Sequence, residues 1–145
     1  MLLACCWAPS ACGPPPYRME LGDSFKQYDE SRDYKLITAE GVRVKAREVD
    51  NYPKADLEFW TDALAGHLAE RGYALDSREC FETDAGLAGC TLDFALPHGA
   101  EDWAFSTTLF VVDDEVIVLE AAASYERFTE IEEELDAMVR TFSPE

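Results

Sequence analysis

The chain has 145 residues, of which 48% are hydrophobic and 12% aromatic, enough to bury one core and too apolar for a disordered chain. No stretch approaches the roughly 18–20 apolar residues that a membrane-spanning helix needs. Thirty acidic against twelve basic residues leave a formal net charge of −18. Such a surface repels phosphate backbones and anionic membranes, so nucleic acid is not expected as a partner and a membrane only through a lipid anchor. Half of that net charge lies between Asp113 and Glu145, as a solvated acidic face or as a docking face for a basic partner.

The first sixteen residues, MLLACCWAPSACGPPP, hold three of the five cysteines and four of the seven prolines. Leu2-Leu3-Ala4-Cys5 fits the small-residue pattern that precedes the lipidated cysteine of a bacterial lipoprotein. A working export signal also needs a basic n-region and an apolar h-region of about 7–15 residues, and neither precedes Cys5. The segment reads as the tail of such a signal, with Cys5 or Cys12 as the lipidation site. Gly13 and the stiff Pro14-Pro15-Pro16 then serve as tether. Residues 1–18 are therefore expected to be disordered, and residues 19–145 to form one domain.

Leu21 to Asp33 is polar and turn-like, and Tyr34 to Thr38 reads as a strand. Val42 to Val49 alternates strictly and predicts a half-buried strand, with Val42, Val44 and Ala46 on one side and Arg43, Lys45 and Arg47 on the other. Asn51 as cap and Pro53 as opening residue predict a helix to about Arg71, buried along Leu57, Trp60, Leu64 and Leu68 and ended by Gly72. The period then falls to two. Strands are expected at Tyr73–Asp76, Arg78–Thr83, Gly89–Leu96, Trp103–Val112 and Glu115–Ala123, with turns at Asp84-Ala85-Gly86, Pro97–Glu101 and Asp113-Asp114. The last two strands are apolar on both faces, as expected of strands covered on both sides. Ser124 is expected to cap a closing helix that buries Phe128, Ile131, Leu135, Met138 or Val139, and Phe142, and exposes Glu130, Glu133, Glu134 and Asp136. The order predicts an α+β fold, an antiparallel sheet flanked by two main helices.

The stretches FWTDALAGHLAERGYAL, GLAGCTLDF and VIVLEAAASYERFTEIEEELDAMVRTF carry a likeness to a known group. A helix ends at a glycine, a Gly-x-x-Gly turn opens the central hairpin, and an apolar strand runs into a terminal amphipathic helix. In these respects Tyr34 to Ser143 resembles the Mog1/PsbP-like superfamily of small α/β/α sandwiches, whose bacterial members include lipoproteins and secretion-associated adaptors. The resemblance implies a binding or accessory role in the cell envelope, or alternatively a cytoplasmic adaptor or chaperone-like protein that docks a protein partner. It transfers no catalytic residue.

Cys80 and Cys90 lie directly opposite each other if the hairpin turns around Ala85, either as a disulfide or as two buried thiols. His67 with Glu70, and His98 with Glu101, each begin a ligand spacing, but each supplies only two of the three or four donors a metal needs. Glu120 interrupts an apolar strand, opposite Thr107 if Asp113-Asp114 turns tightly. It is either a buried carboxylate partnered by the basic strand or a solvated end residue. Arg43, Lys45 and Arg47 cluster bases in an acidic chain, either guarding a strand against mispairing or forming a strip for an anion or a partner. No nucleophile elbow, phosphate loop or zinc-helix motif appears, so no catalytic residue, cofactor or metal ligand is assigned. The expected protein is a non-catalytic monomer.

Overall fold

The computed structural model describes residues 17–29 and 34–145. Among the described residues nine strands and two helices follow one another: β1 (Tyr17–Arg18), β2 (Lys26–Asp29), β3 (Tyr34–Ile37), β4 (Arg43–Asp50), α1 (Leu57–Glu70), β5 (Ala74–Glu82), β6 (Ala88–His98), β7 (Glu101–Val112), β8 (Glu115–Ser124), α2 (Tyr125–Arg140) and β9 (Ser143–Pro144). Seven strands form one antiparallel sheet in the order β2-β3-β4-β8-β7-β6-β5. The two most apolar strands, β7 and β8, thus lie near its middle, where both faces are covered.

Binary patterning decides which residues meet which helix. Val44 and Ala46 of β4, Phe110 of β7, and Ile117, Leu119 and Ala121 of β8 share one face and pack against Phe128, Ile131, Leu135, Met138 and Val139 of α2. The opposite face brings Leu92 and Phe94 to Leu68, and Leu109, Val116 and Val118 to Leu57, Trp60 and Leu64 of α1. Phe142, just past α2, stacks on Phe110 with centroids 4.1 Å apart and planes 6° apart. Both rings are fully buried, each contributing about 1.5–3 kcal/mol of burial.

Several local expectations need correction. The helix α1 begins at Leu57, not Pro53, because Asp56 is its cap: the Asp56 carboxylate accepts from Phe59 N at 2.9 Å. Asn51 organises the preceding loop instead. Its Oδ1 accepts from Ala55 N at 3.0 Å and from Trp60 Nε1 at 2.7 Å, and its Nδ2 donates to Ala55 O at 3.1 Å. Ser124 precedes α2 without a capping bond from its side chain. The turn between β6 and β7 is shorter than expected, because Pro97 and His98 remain paired with Asp102 and Glu101 around Gly99-Ala100. The two segments expected after Gly72 are one strand, β5, with an irregularity between Leu75 and Ser77.

The domain also starts earlier than residue 19. Tyr17 and Arg18 pair with Pro144 and Ser143, and the 2% exposed Tyr17 donates its hydroxyl to Ala46 O at 3.2 Å. The segment expected to be only turn-like buries Phe25 and forms β2. Glu134 is not part of the free acidic face, for its Oε1 accepts from Ser24 N at 2.7 Å and fastens that segment to α2. Cys5, Cys12 and the rest of residues 1–16 lie outside the described residues.

Candidate functional site: a basic strand beside an apolar groove

On the α1 side of the sheet the helix lies over β5, β6 and β7 and reaches the near edge of β8. It stops short of β4. Since Val44 and Ala46 point to the α2 side, Arg43, Lys45 and Arg47 all point to the α1 side, where Arg43 and Lys45 are exposed and Arg47 is half-buried. Three cations at alternate positions of one extended strand stand about 6–7 Å apart, a spacing that matches alternate side chains of an extended partner.

Between this strand and α1 runs a groove of about 370 Å³. Val116, Val118 and Leu109 form its floor, Trp60, Leu64 and His67 its helical wall, and Arg47 its opposite rim. Arg47 Nη2 stands 3.4 Å from Glu120 Oε1, with both side chains partly open to solvent at 40% and 30%. Glu120 faces Lys45 on one side and Thr107 on the other. It is therefore a partnered, partly solvated carboxylate. Screening at that exposure leaves the pair worth about 1 kcal/mol or less. Thr107 is fully buried, and its hydroxyl has no hydrogen-bond partner among the described residues.

The remaining candidates lie apart from this groove or at its margin. The pairing of β5 with β6 sets Cys80 opposite Cys90, and their sulfurs are joined, with Cα atoms 4.0 Å apart. Cys90 is buried while Cys80 is on the open edge strand. His67 sits on the groove wall, and His98 rests edge-on against Trp103 at 5.6 Å. The two histidines are not brought together with further donors: among the described residues no group of three or more His, Cys, Asp or Glu side chains suits a metal ion.

Sequence reasoning placed the three cations on one strand face but missed the groove beside them. Its floor comes from β7 and β8 and its wall from α1, so only the sheet order reveals it. A second cavity, of about 470 Å³, lies on the opposite face beneath α2 and was equally hidden.

No protein-family model and no curated protein matches the sequence. Solved structures do. LpqN of Mycobacterium tuberculosis, described as involved in cell envelope biogenesis, superposes with a TM-score of 0.67 at 10% identity, over 90% of this chain and 84% of LpqN. PA94 of Pseudomonas aeruginosa, a protein of unknown function described as a putative regulator, gives 0.59 at 14% identity, over 95% of this chain and 89% of its own. The cyanobacterial PsbP of Synechocystis gives 0.57 at 11% identity, over 97% of this chain and 99% of its own. At such identities the likeness speaks for architecture, and it agrees with the antiparallel sheet and flanking helices described above: this chain has the Mog1/PsbP-like fold.

Proposed function

We propose that the protein is a non-catalytic accessory domain of the bacterial cell envelope that docks an acidic partner on the open face of β4. The observation that carries this reading is the cationic row Arg43, Lys45 and Arg47 beside an apolar groove, in a chain of net charge −18. The overall charge would repel an acidic partner in most orientations, so the basic row selects one orientation and register. The apolar floor supplies the contact area that charge alone does not.

The envelope is the compartment favoured by two further features. A cross-strand bridge between Cys80 and Cys90 persists where the surroundings are oxidising. The sequence around Cys5 and Cys12 has the small-residue character of a lipidation site. The description of LpqN, a protein of the same fold, is in keeping with this reading.

Fractionation of the native host tests it. The protein should sediment with membranes, be released by detergent, and yield an acylated peptide at Cys5 or Cys12, while Cys80 and Cys90 resist alkylation until reduced. A protein wholly in the cytosol, with Cys80 and Cys90 both freely alkylated, would contradict the envelope reading in favour of a cytoplasmic adaptor.

A further inference from the structure

Most cations of this chain already hold a carboxylate. Arg18, Arg47, Lys54, Arg78 and Arg140 each form an ion pair. Arg43 and Arg127 form none among the described residues, yet both line one open cavity of about 450 Å³. It lies between the starts of β4 and β7, the end of β8 and the first turn of α2. Glu101 and Glu126 line the same cavity and are likewise unpaired among the described residues. Its wall is therefore neutral, with two charges of each sign, in a chain of net charge −18.

Four separate surface charges would be solvated. A neighbouring cavity adds an independent observation. An apolar pocket of about 170 Å³ adjoins the first and shares Trp103 and Ala122 with it. Tyr73, Leu96 and Phe105 form its walls, and Tyr73 meets Phe105 edge-on at 5.5 Å. The strand register explains the opening. Arg43 pairs with Ala122 and Ala122 with Phe105, so the three stand in line on the α1 side of the sheet. Neighbouring strands are about 4.8 Å apart, which puts the backbones of Arg43 and Phe105 about 10 Å apart. Only the exposed methyl group of Ala122 stands between them. A gap thus runs from a guanidinium to an aromatic wall.

We infer that the two joined cavities bind a free α-amino acid with a large apolar side chain. Arg43 and Arg127 receive the α-carboxylate, whose two oxygens match the planar fork of a guanidinium. Glu101 and Glu126 receive the α-ammonium. The side chain passes over Ala122 and lodges against Trp103 and Phe105, where its apolar surface leaves water. A wall with both signs complements a zwitterion. A simple anion would also meet the two carboxylates, and a simple cation the two guanidiniums. The larger cavity alone falls within the roughly 300–1,000 Å³ usual for small-ligand sites. Arg43 also belongs to the proposed docking row, but Glu101, Glu126 and Arg127 do not, so the inference does not depend on that reading.

Titration of the purified chain with L-phenylalanine, followed by calorimetry, tryptophan fluorescence and backbone amide shifts, tests it. Saturable one-to-one binding is expected, with a change in indole emission and shifts at Arg43, Trp103 and residues 122–127. N-acetylphenylalanine lacks the ammonium and phenylalaninamide the carboxylate, and each should bind at least tenfold more weakly. Arg127→Gln should weaken binding of L-phenylalanine about tenfold, the effect of one lost hydrogen bond between charged groups. Lys45→Gln with Arg47→Gln, which alters the docking row and leaves the cavities intact, should not change it. Each variant is first shown to melt as a folded domain. Failure to saturate below about 10 mM would overturn the inference. So would equal binding of phenylalanine and its two derivatives, equally tight binding of phenylacetate, equal loss from the docking-row and cavity substitutions, or shifts mapping elsewhere.

Discussion

Replacing Gly89 by alanine would add one methyl group at a point where the sheet has no room for it. Gly89 pairs with Phe110 across β6 and β7. A Cβ there would lie 2.5 Å from Phe110 Cε1, 2.9 Å from Phe110 Cδ1 and 3.0 Å from Phe81 Cζ. Phe110 cannot swing away, because it is fully buried, stacked on Phe142, and met edge-on by Phe81 at 6.1 Å. Phe81 in turn lies under Arg140. Relief must come from off-rotamer rings or a strand shift, and overpacking of this kind costs about 1–3 kcal/mol. For a domain of this size that lowers Tm by roughly 2–4 °C per kcal/mol, or about 2–12 °C in all. Gly66 is the internal control. It lies in exposed α1 with no atom within 4 Å of a Cβ, so Gly66→Ala should stabilise by about 0.5–1 kcal/mol. Scanning calorimetry of both variants beside the parent decides the matter. A Gly89→Ala protein that melts with the parent, or a shift of the same sign in both, would refute the packing described for Phe110.

Two further outcomes follow from named contacts. Cys80→Ser with Cys90→Ser removes a bridge that closes a ten-residue separation, and loop entropy sets the cost at roughly 2–3 kcal/mol. Urea unfolding should show this loss against the oxidised parent and none against the reduced parent. Asn51→Ala leaves Trp60 Nε1 and Ala55 N without their acceptor, at a cost of about 1–3 kcal/mol, and indole fluorescence should report a changed setting for Trp60.

The long periodic stretches were legible in the sequence because a strand or helix that buries one face must repeat its apolar residues at two or 3.6. The alternation of β4, the stripe of α2 and the doubly apolar β7 and β8 announce the sheet and its covered centre. Short and edge elements announce nothing of the kind. β1 and β9 are two residues each and exist only because they pair with each other, and β2 lies at an edge with little apolar pattern of its own. The start of α1 was misplaced because Pro53 is a favourable opening residue in isolation. What places the start is the Asp56 carboxylate on Phe59 N, with Asn51 holding the loop before it. For the candidate surfaces, the basic row is legible because it lies on one strand. The groove and the paired cavities at Trp103 join residues from separate elements, and their composition becomes visible only when β4 pairs with β8 and β8 with β7.

The measurement closest to the proposed function is affinity capture of the native protein from its host, made side by side with an Arg43→Gln, Lys45→Gln, Arg47→Gln variant that melts like the parent. If β4 is the docking face, one acidic partner should be recovered stoichiometrically with the parent and lost with the variant, and its binding to the parent should weaken as salt is raised. Recovery of the same partner, in equal amount, with the variant would contradict docking on this face.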